Sequence, residues 1–560
     1  MKKSWYKYAI AYACALVLIG IVYYVMLPPL NLQSTAFWTF LTVVLVALLV
    51  PACLRFQGTA KQTQNNKNTF GVNIQAVTSV LQFFKPRPFL AVAIIPIVVV
   101  FAGNLISSTF FFARSYANVI EVKEAVFEDD MPETDMVTNI ALMDSETAAT
   151  IGKRTLGNLS DVVSQYEVSP NYTQINYRRT PQKVATLEYA DFFKWFSNRQ
   201  KGIPGYVMVD PVSNTAEYCS LSKPIVYTES GFFGDDLMRK LRFSYPTKIF
   251  GDVKYEIDDE GNPVYIVPCM KPKVALFGAL DVAEVIIFDP VTGTSELRSL
   301  ADTPTWIDNV YDGYLATEKY NWKGMYSGGF FNSVVGNRDC KVTTDDFGYI
   351  ILEDDVWYFT GVTSVNSDES NIGFIISNAR TGEYKFYPVI GAEEHSAMSA
   401  AEGEVQEKGY VASFPALINV EGEATYIMVL KDSGGLVKLY ALVNVEKYSL
   451  VATGTDQQKA MEAYKKLLAE EGILDSDEQS PPADDTFTAT LTVDDVFLIT
   501  LSSDTYAYLS VKNGEEELLL KIKVADNEKI LFIRKDDSVS FTYTKTDEEN
   551  IYEIISFEKQ

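Results

Sequence analysis

Three long apolar runs open the chain, and short alternating ones fill the rest. Ala9–Leu27, Ala36–Leu54 and Leu90–Phe112 contain no charged side chain, and the last is 23 residues long. At about 1.5 Å of rise per residue, each predicts a helix able to cross a hydrocarbon core of about 30 Å. The first run is longer than a signal-peptide core and ends in Leu27-Pro28-Pro29, which is no small-residue cleavage site. Beyond Arg114 the apolar positions fall into strands of about five residues punctuated by Asp, Asn, Pro and Gly.

Charge divides the chain at the same place. Residues 1–114 hold nine basic residues and no acidic one, whereas the remaining 39 Lys and Arg face all 73 Asp and Glu, a net of +9 against −34. Lys2, Lys3 and Lys7 precede the first run, and Arg55, Lys61, Lys67, Lys85 and Arg87 fill the loop between the second and third. Positive loops stay in the cytoplasm, so the expectation is a multi-pass plasma-membrane protein with a cytoplasmic N-terminus and a large extracytoplasmic C-terminal part. In the 55–89 loop, Phe70, Ile74, Val77, Leu81 and Phe84 recur at helical spacing, predicting a helix along the bilayer surface. Gly103, Asn104, Ser107 and Ser108 suit close packing among the three helices. Embedded charge, the usual mark of an ion or substrate route, is absent from the runs, which argues against a transporter or channel.

The outer region repeats itself. An apolar strand ending in Asp or Asn, a turn and a second strand recur at Tyr206-Val-Met-Val-Asp210, Val285-Ile-Ile-Phe-Asp289, Phe374-Ile-Ile-Ser-Asn378 and, in degenerate form, Tyr440-Ala-Leu-Val-Asn444. Asp-Pro-x-Thr-Gly at 289–293 is turn chemistry: Asp bonds its own backbone, Pro fixes φ and Gly takes φ > 0. A hairpin-like pair precedes each copy, and helix-like stretches such as Asp235–Leu241 and Glu393–Lys408 lie between copies. The predicted unit is a helix followed by an antiparallel β-meander. These turns, Arg380-Thr-Gly-Glu383 most closely, resemble PepSY-type domains over 203–300 and more loosely over 345–450. That resemblance implies small extracytoplasmic modules involved in peptidase regulation and in peptide or ligand binding. The whole plan also resembles membrane-anchored extracytoplasmic proteins of Gram-positive bacteria.

Thr455-x-x-Gln458 fits a capping box ahead of a helix closed by Gly472, and 475–485 reads as an acidic linker. From Thr486 strands alternate to the end, including Ile530–Ile533. Lys535-Asp-Asp-Ser-Val-Ser-Phe-Thr-Tyr543 resembles a strand of OB-fold barrels, with Asp536 where those carry Gly. Such barrels often bind nucleic acid or sugars, but eight basic against fifteen acidic residues repel a phosphate backbone, so no nucleic-acid partner is expected.

Catalytic chemistry is not legible. The single histidine, His395, sits among Glu393, Glu394 and Ser396 at an expected helix start, and no Cys-x-x-Cys or Gly-rich phosphate loop is present. Cys14 and Cys53 lie in apolar runs. Of Cys219, Cys269 and Cys340, at most two can pair: 219 with 269, against buried free thiols as the plainer alternative. Carboxylate clusters such as Asp258-Asp259-Glu260 read as solvated turns without a calcium loop. Aromatic residues concentrate between Trp306 and Phe331, and Trp306, Tyr311, Tyr314, Tyr320, Trp322 and Tyr326 form the candidate binding surface for a peptide, a sugar or lipid headgroups. The alternative is a long loop packing these rings into the seam between units.

The expected fold class is a membrane-anchored α+β protein: three N-terminal transmembrane helices, repeated helix-plus-antiparallel-meander modules and a small C-terminal β-barrel. Its expected parts are a transmembrane anchor over 1–114, two α+β units over 115–300, an aromatic-rich connecting segment over 301–344, two further units over 345–454, a helix and linker over 455–485, and the barrel over 486–560. No catalytic residue, metal or cofactor is predicted. The expected role is non-enzymatic binding, scaffolding or regulation at the cell envelope, through the bilayer and a protein partner or self-association. An envelope hydrolase using paired carboxylates and a subunit of an oligomeric membrane assembly are the competing classes.

Overall fold

The computed structural model describes residues 2–57, 92–134, 142–365, 367–473, 486–501, 504–513, 516–524, 527–545 and 551–559. The expected surface helix between Lys67 and Lys85 and the acidic linker fall outside these. The chain is a mixed α+β protein with several sheets and a closed barrel, in two compact units, Met1–Leu467 and Leu468–Gln560.

The larger unit begins with α1 (Lys2–Met26) and α2 (Thr35–Gln57), an antiparallel pair joined through the buried Pro28 and Pro29. Among the described residues only Ala9–Met26 is a straight helix long and apolar enough to span a bilayer, and the apolar part of α2, Thr35–Leu49, is shorter. The third apolar run departs from the expected single span. It forms two helices, α3 (Ile95–Ile106) and α4 (Thr109–Ala117), bent by 55°. The bend has a tertiary cause. Ser107 is buried, its Oγ accepts the N–H groups of Leu276 and Phe277 at 3.1 Å each, and its carbonyl accepts the Tyr116 hydroxyl at 2.7 Å. A Cβ on Gly103 would lie 2.3 Å from the Phe277 ring. Gly103 and Ser107, expected to serve packing between membrane helices, instead seat a hairpin of the body. Asn104 donates to the Val100 carbonyl within α3, and Ser108, between the two helices, donates to the Leu105 carbonyl of α3.

Four sheets follow, each with one connectivity. In the first, Thr180–Tyr189 pairs with Tyr166–Val168, Thr173–Tyr177 and Ile203–Asp210, and the last of these pairs with Thr215–Ile225. Pro263–Val274 plays the central part in the second sheet, Asp355–Ser364 in the third and Glu423–Lys431 in the fourth. Helices α5 (Ser145–Gly157), α6 (Leu237–Ser244), α7 (Gly313–Tyr326) and α8 (Glu394–Glu404) precede the four sheets in turn. One hydrophobic cluster joins the first two sheets, through residues such as Leu187, Val207, Val267 and Phe288. A second joins the last two, through Phe359, Phe374, Tyr426 and Val443.

The turns explain why this connectivity recurs. Asp210 Oδ1 accepts the N–H groups of Val212 and Ser213, Asp289 Oδ1 those of Val291 and Thr292, and Asn378 Oδ1 those of Arg380 and Thr381; Asn444 Oδ1 accepts that of Lys447. Gly293 and Gly382 take φ of +74° and +72° where these turns close. The hairpins ahead of them use two consecutive left-handed residues, Arg178-Arg179, Glu353-Asp354 and Glu421-Gly422, a geometry that matches the twist of the flanking strands.

Two expected boundaries shift. Residues 115–134 do not belong to the first unit, because Val122–Glu124 pairs in parallel with Tyr384–Phe386 of the third sheet and Phe127 and Met131 enter the cluster joining the third and fourth. The 301–344 segment is not an irregular connection, since Asp312 caps α7 by accepting the Tyr314 N–H at 2.9 Å. Helix α9 (Gln457–Glu470) closes the unit, capped by Asp456, which accepts the Lys459 N–H, rather than by Thr455.

The second unit is a closed five-stranded barrel. Thr486–Leu501 is one long strand with a bulge at Val493/Asp495, pairing first with Ser538–Lys545 and then with Asp504–Asn513. Glu516–Lys523 and Ile551–Lys559 close it side by side in parallel. The expected strand at Ile530–Ile533 is instead a 3₁₀ turn, Glu528–Phe532, with Ile530 buried in the barrel core.

Candidate functional site

The six aromatic residues do not make one surface. Tyr311 is buried under Gly382, where a Cβ would stand 2.7 Å from its ring, with the Lys319 ammonium 4.7 Å from the ring centroid. Tyr320 is buried against the third sheet. Trp322 meets Tyr116 edge-on at 5.1 Å and packs with Tyr326 over Val274, and Trp306 packs beside Val310. Only Tyr314 projects, 71 % exposed, its ring edge-on to Phe347 at 5.1 Å. Five of the six therefore hold α7 between α4 and the second and third sheets.

Tyr314 stands at a cleft to which all four sheets contribute. Asp144 comes from the cap of α5, Lys183 from the first sheet, Lys254 from the second, Tyr349 from the third and Ala416 from the fourth. Asp312, Asp346, Phe347 and Phe414 complete a volume of about 330 Å³. A neighbouring cleft of about 430 Å³, lined by Asp252, Met270, Leu315 and Glu318, shares Asp312 and Tyr314 with it.

Lys183 is the unusual member. It lies in the middle strand of the first sheet, with Gln174 beside it on one neighbour and Val209 on the other, and is 2 % exposed. Its ammonium stands 5.0 Å from the Tyr349 ring centroid, and among the described residues no hydrogen bond or ion pair reaches it. Burial pulls its pKa down to about 8, with the Asp144 charge acting the other way. The other charges deeper in the wall are matched. Lys254 donates to Asp312 at 2.8 Å. Asp144 accepts the Thr147 N–H at 2.7 Å and the Lys431 ammonium. Burial pushes the Asp144 pKa up, but these donors outweigh it and leave the carboxyl below its ordinary range.

Buried carboxylates elsewhere have structural duties. Glu256 accepts the N–H groups of Asp308 and Asn309 at 3.0 and 2.8 Å, and Asp308 accepts that of Asn176 at 2.7 Å, binding the segment before α7 to the first two sheets. Burial raises the Glu256 pKa to about 7, and burial with the Glu256 charge raises that of Asp308. Neither residue lines either cleft. Glu394, also raised to about 7 by burial, accepts the Gly361 N–H. Folded Glu394 holds its proton up to about pH 7, whereas its ordinary pKa is 4.5, so the folded state binds more protons in that window and stability falls as pH rises through it. Glu394→Gln keeps the acceptor for Gly361. The variant is expected to show a shallower loss of Tm between pH 5 and 7.5 than the parent, and to be more stable at the upper end by about 1–3 kcal/mol; thermal unfolding across that range measures both.

Cys219, Cys269 and Cys340 are free, so the 219–269 pairing does not form. Burial raises the thiol pKa of Cys219 to about 11 and of Cys269 to about 12. His395 is exposed at the start of α8, its ring 6.5 Å from that of Phe414, and among the described residues no nucleophile is bonded to it. Among the described residues no group of three or more His, Cys, Asp or Glu is placed to hold a metal ion. Sequence reading did not single out Lys183, Lys254 or Asp312; the one available signal was a lysine set inside a run of strand residues, Gln182-Lys183-Val184-Ala185. Comparison with protein-family models finds no match for this chain, and comparison with curated proteins finds none either.

Proposed function

We propose that this is a multi-pass membrane protein with a cytoplasmic N-terminus, whose extracytoplasmic body rests on the outer bilayer face and serves as a non-enzymatic binding, scaffold or regulatory element for a protein partner. The observation that carries this reading is the way the body grips the ends of the apolar helices. Arg242 donates to the Leu27 carbonyl at 2.9 Å, the Arg239 guanidinium lies 4.2 Å from the Tyr24 ring centroid, and the Leu30 N–H donates to Pro246 at 2.7 Å. Ser107 makes a second such junction. Within the reading, the third span is the bent α3–α4 pair, and the charge asymmetry sets the orientation. The shared connectivity of the four sheets supports treating them as copies of one PepSY-like unit, and a five-stranded barrel with strand order 1-2-3-5-4 supports an OB-like module.

Exposed aromatic and aliphatic side chains sit beside both junctions. Phe193 (75 % exposed) belongs to a cluster with Phe192, Trp195 and Phe233, and the Phe233 carbonyl accepts from Arg239. Phe331 (75 %) and Val335 (82 %) extend from a turn whose Phe330 and Phe331 rings meet Phe110 of α4 at 5.1 and 6.3 Å. Such side chains beside membrane helices enter the headgroup region. In liposome-reconstituted protein carrying one environment-sensitive fluorophore, labels at Phe193→Cys and Val335→Cys are expected to be quenched by brominated lipid, while one at Tyr448→Cys is not. Equal quenching at all three positions, or digestion of the body by protease on the cytoplasmic side only, overturns the reading.

A further inference from the structure

The cleft where the four sheets meet has an unbalanced floor. Every cation in its wall except Lys183 has a carboxylate: Lys254 has Asp312, and Asp144 is occupied by Lys431, which reaches it from the fourth sheet. Of the carboxylates, that of Asp346 is exposed at the rim and, among the described residues, accepts only the N–H of its neighbour Phe347, at 2.8 Å. One positive charge at the floor and one negative charge at the rim are thus left unmatched. Between them stand Tyr314, Phe347, Tyr349 and Phe414. An ammonium this deeply enclosed, resting on the Tyr349 ring and, among the described residues, reached by no hydrogen bond or ion pair, is costly in the empty protein and gains most from an anion delivered to it.

We propose that this cleft binds a small zwitterion of the amino-acid or dipeptide class, its carboxylate on the Lys183 ammonium, its own ammonium toward Asp346 and its side chain among the aromatic rings. The match is to charge and size. One carboxylate neutralises the single unmatched lysine, whereas a dianionic phosphate would bring excess negative charge against Asp144, Asp312 and Asp346. A volume of about 330 Å³ lies at the small end of ligand pockets. Convergence of four sheets on one ligand also gives the body a means to sense it, since binding ties the first sheet to the third. This assignment rests on the binding role proposed above and names the ligand class for it.

The test uses the full-length protein in detergent and a panel of alanyl dipeptides, each as the free acid and as its C-terminal amide, followed by calorimetry. At least one free acid is expected to bind and its amide to bind at least about 30-fold more weakly, the scale set by stranding a buried charge. Lys183→Met is expected to lose that binding while remaining folded by circular dichroism, and Asp346→Asn to weaken it less. Bound dipeptide should also shield Lys183 from acylation, read by mass spectrometry of the intact protein. No binding by any free acid, equal binding of acid and amide, undiminished binding by Lys183→Met, or tighter binding of inorganic phosphate than of every dipeptide each overturns the proposal. The lipid-quenching experiment is independent of these outcomes, so failure here leaves the membrane seating to stand or fall alone.

Discussion

Replacing Lys183 by Met makes the empty protein more stable, by about 1–4 kcal/mol. The expectation follows from enclosing an ammonium with no carboxylate bonded to it, in a strand with neighbours on both sides. Methionine fills the same space with no charge to desolvate. The gain has a pH signature. Folded Lys183 releases its proton near pH 8 and an unperturbed lysine near 10.5, so the penalty is complete below pH 8. Between these values the unfolded chain holds more protons, and the stability of the parent rises with pH. The advantage of Lys183→Met should accordingly be greatest below pH 8 and shrink toward pH 10.5. Chemical denaturation at pH 7 and pH 10 measures both parts, and a variant less stable than the parent at pH 7 contradicts the account. A group that costs the resting protein stability fits the trade-off between stability and function found at binding positions.

Arg242→Met has the opposite effect and is expected to cost about 3–5 kcal/mol. Arg242 is buried beside the junction with the apolar helices. It donates to the carbonyls of Leu27 and Lys248 at 2.9 and 2.6 Å, and its guanidinium lies 4.2 Å from the Phe250 ring centroid. Methionine supplies none of these donors, and each carbonyl left dry costs about 1–3 kcal/mol. The loss should fall on the seam between α6 and the loop joining α1 to α2. Amide exchange there is expected to accelerate before the second sheet itself opens, which hydrogen-exchange mass spectrometry in nanodiscs would register. Uniform acceleration throughout the larger unit would mean that Arg242 supports the whole core rather than this seam.

What the sequence revealed and what it hid divide along a physical line. Turns were legible because their chemistry is local: Asp210, Asp289, Asn378 and Asn444 bond backbone groups within three residues, so residue type and spacing suffice. The apolar runs were legible because length and the absence of charge are one-dimensional properties. The bend at Ser107 was not, because its partners are the N–H groups of Leu276 and Phe277, far along the chain, and a serine among apolar residues suits helix packing equally well. Helix α7 was hidden by its glycines and tyrosines, which suit helices poorly in isolation but fill the space between α4 and the sheets. The cleft was least legible. Its lysines and carboxylates come from four sheets, and in a chain with 73 acidic residues no single Asp announces itself.

The strand at Val122–Glu124 has a consequence for synthesis. The segment that leaves the last apolar helix does not join the residues made next. It lies along Tyr384–Phe386, its Met131 carbonyl accepts from Asn419, and the Thr134 N–H donates to Asn419. A ribosome delivering this chain therefore releases an early tether whose partners emerge only about 260 to 288 residues later. The body is latched shut by its own first-made end, so a chain interrupted after the second sheet would have a loose strap and nothing to buckle it to.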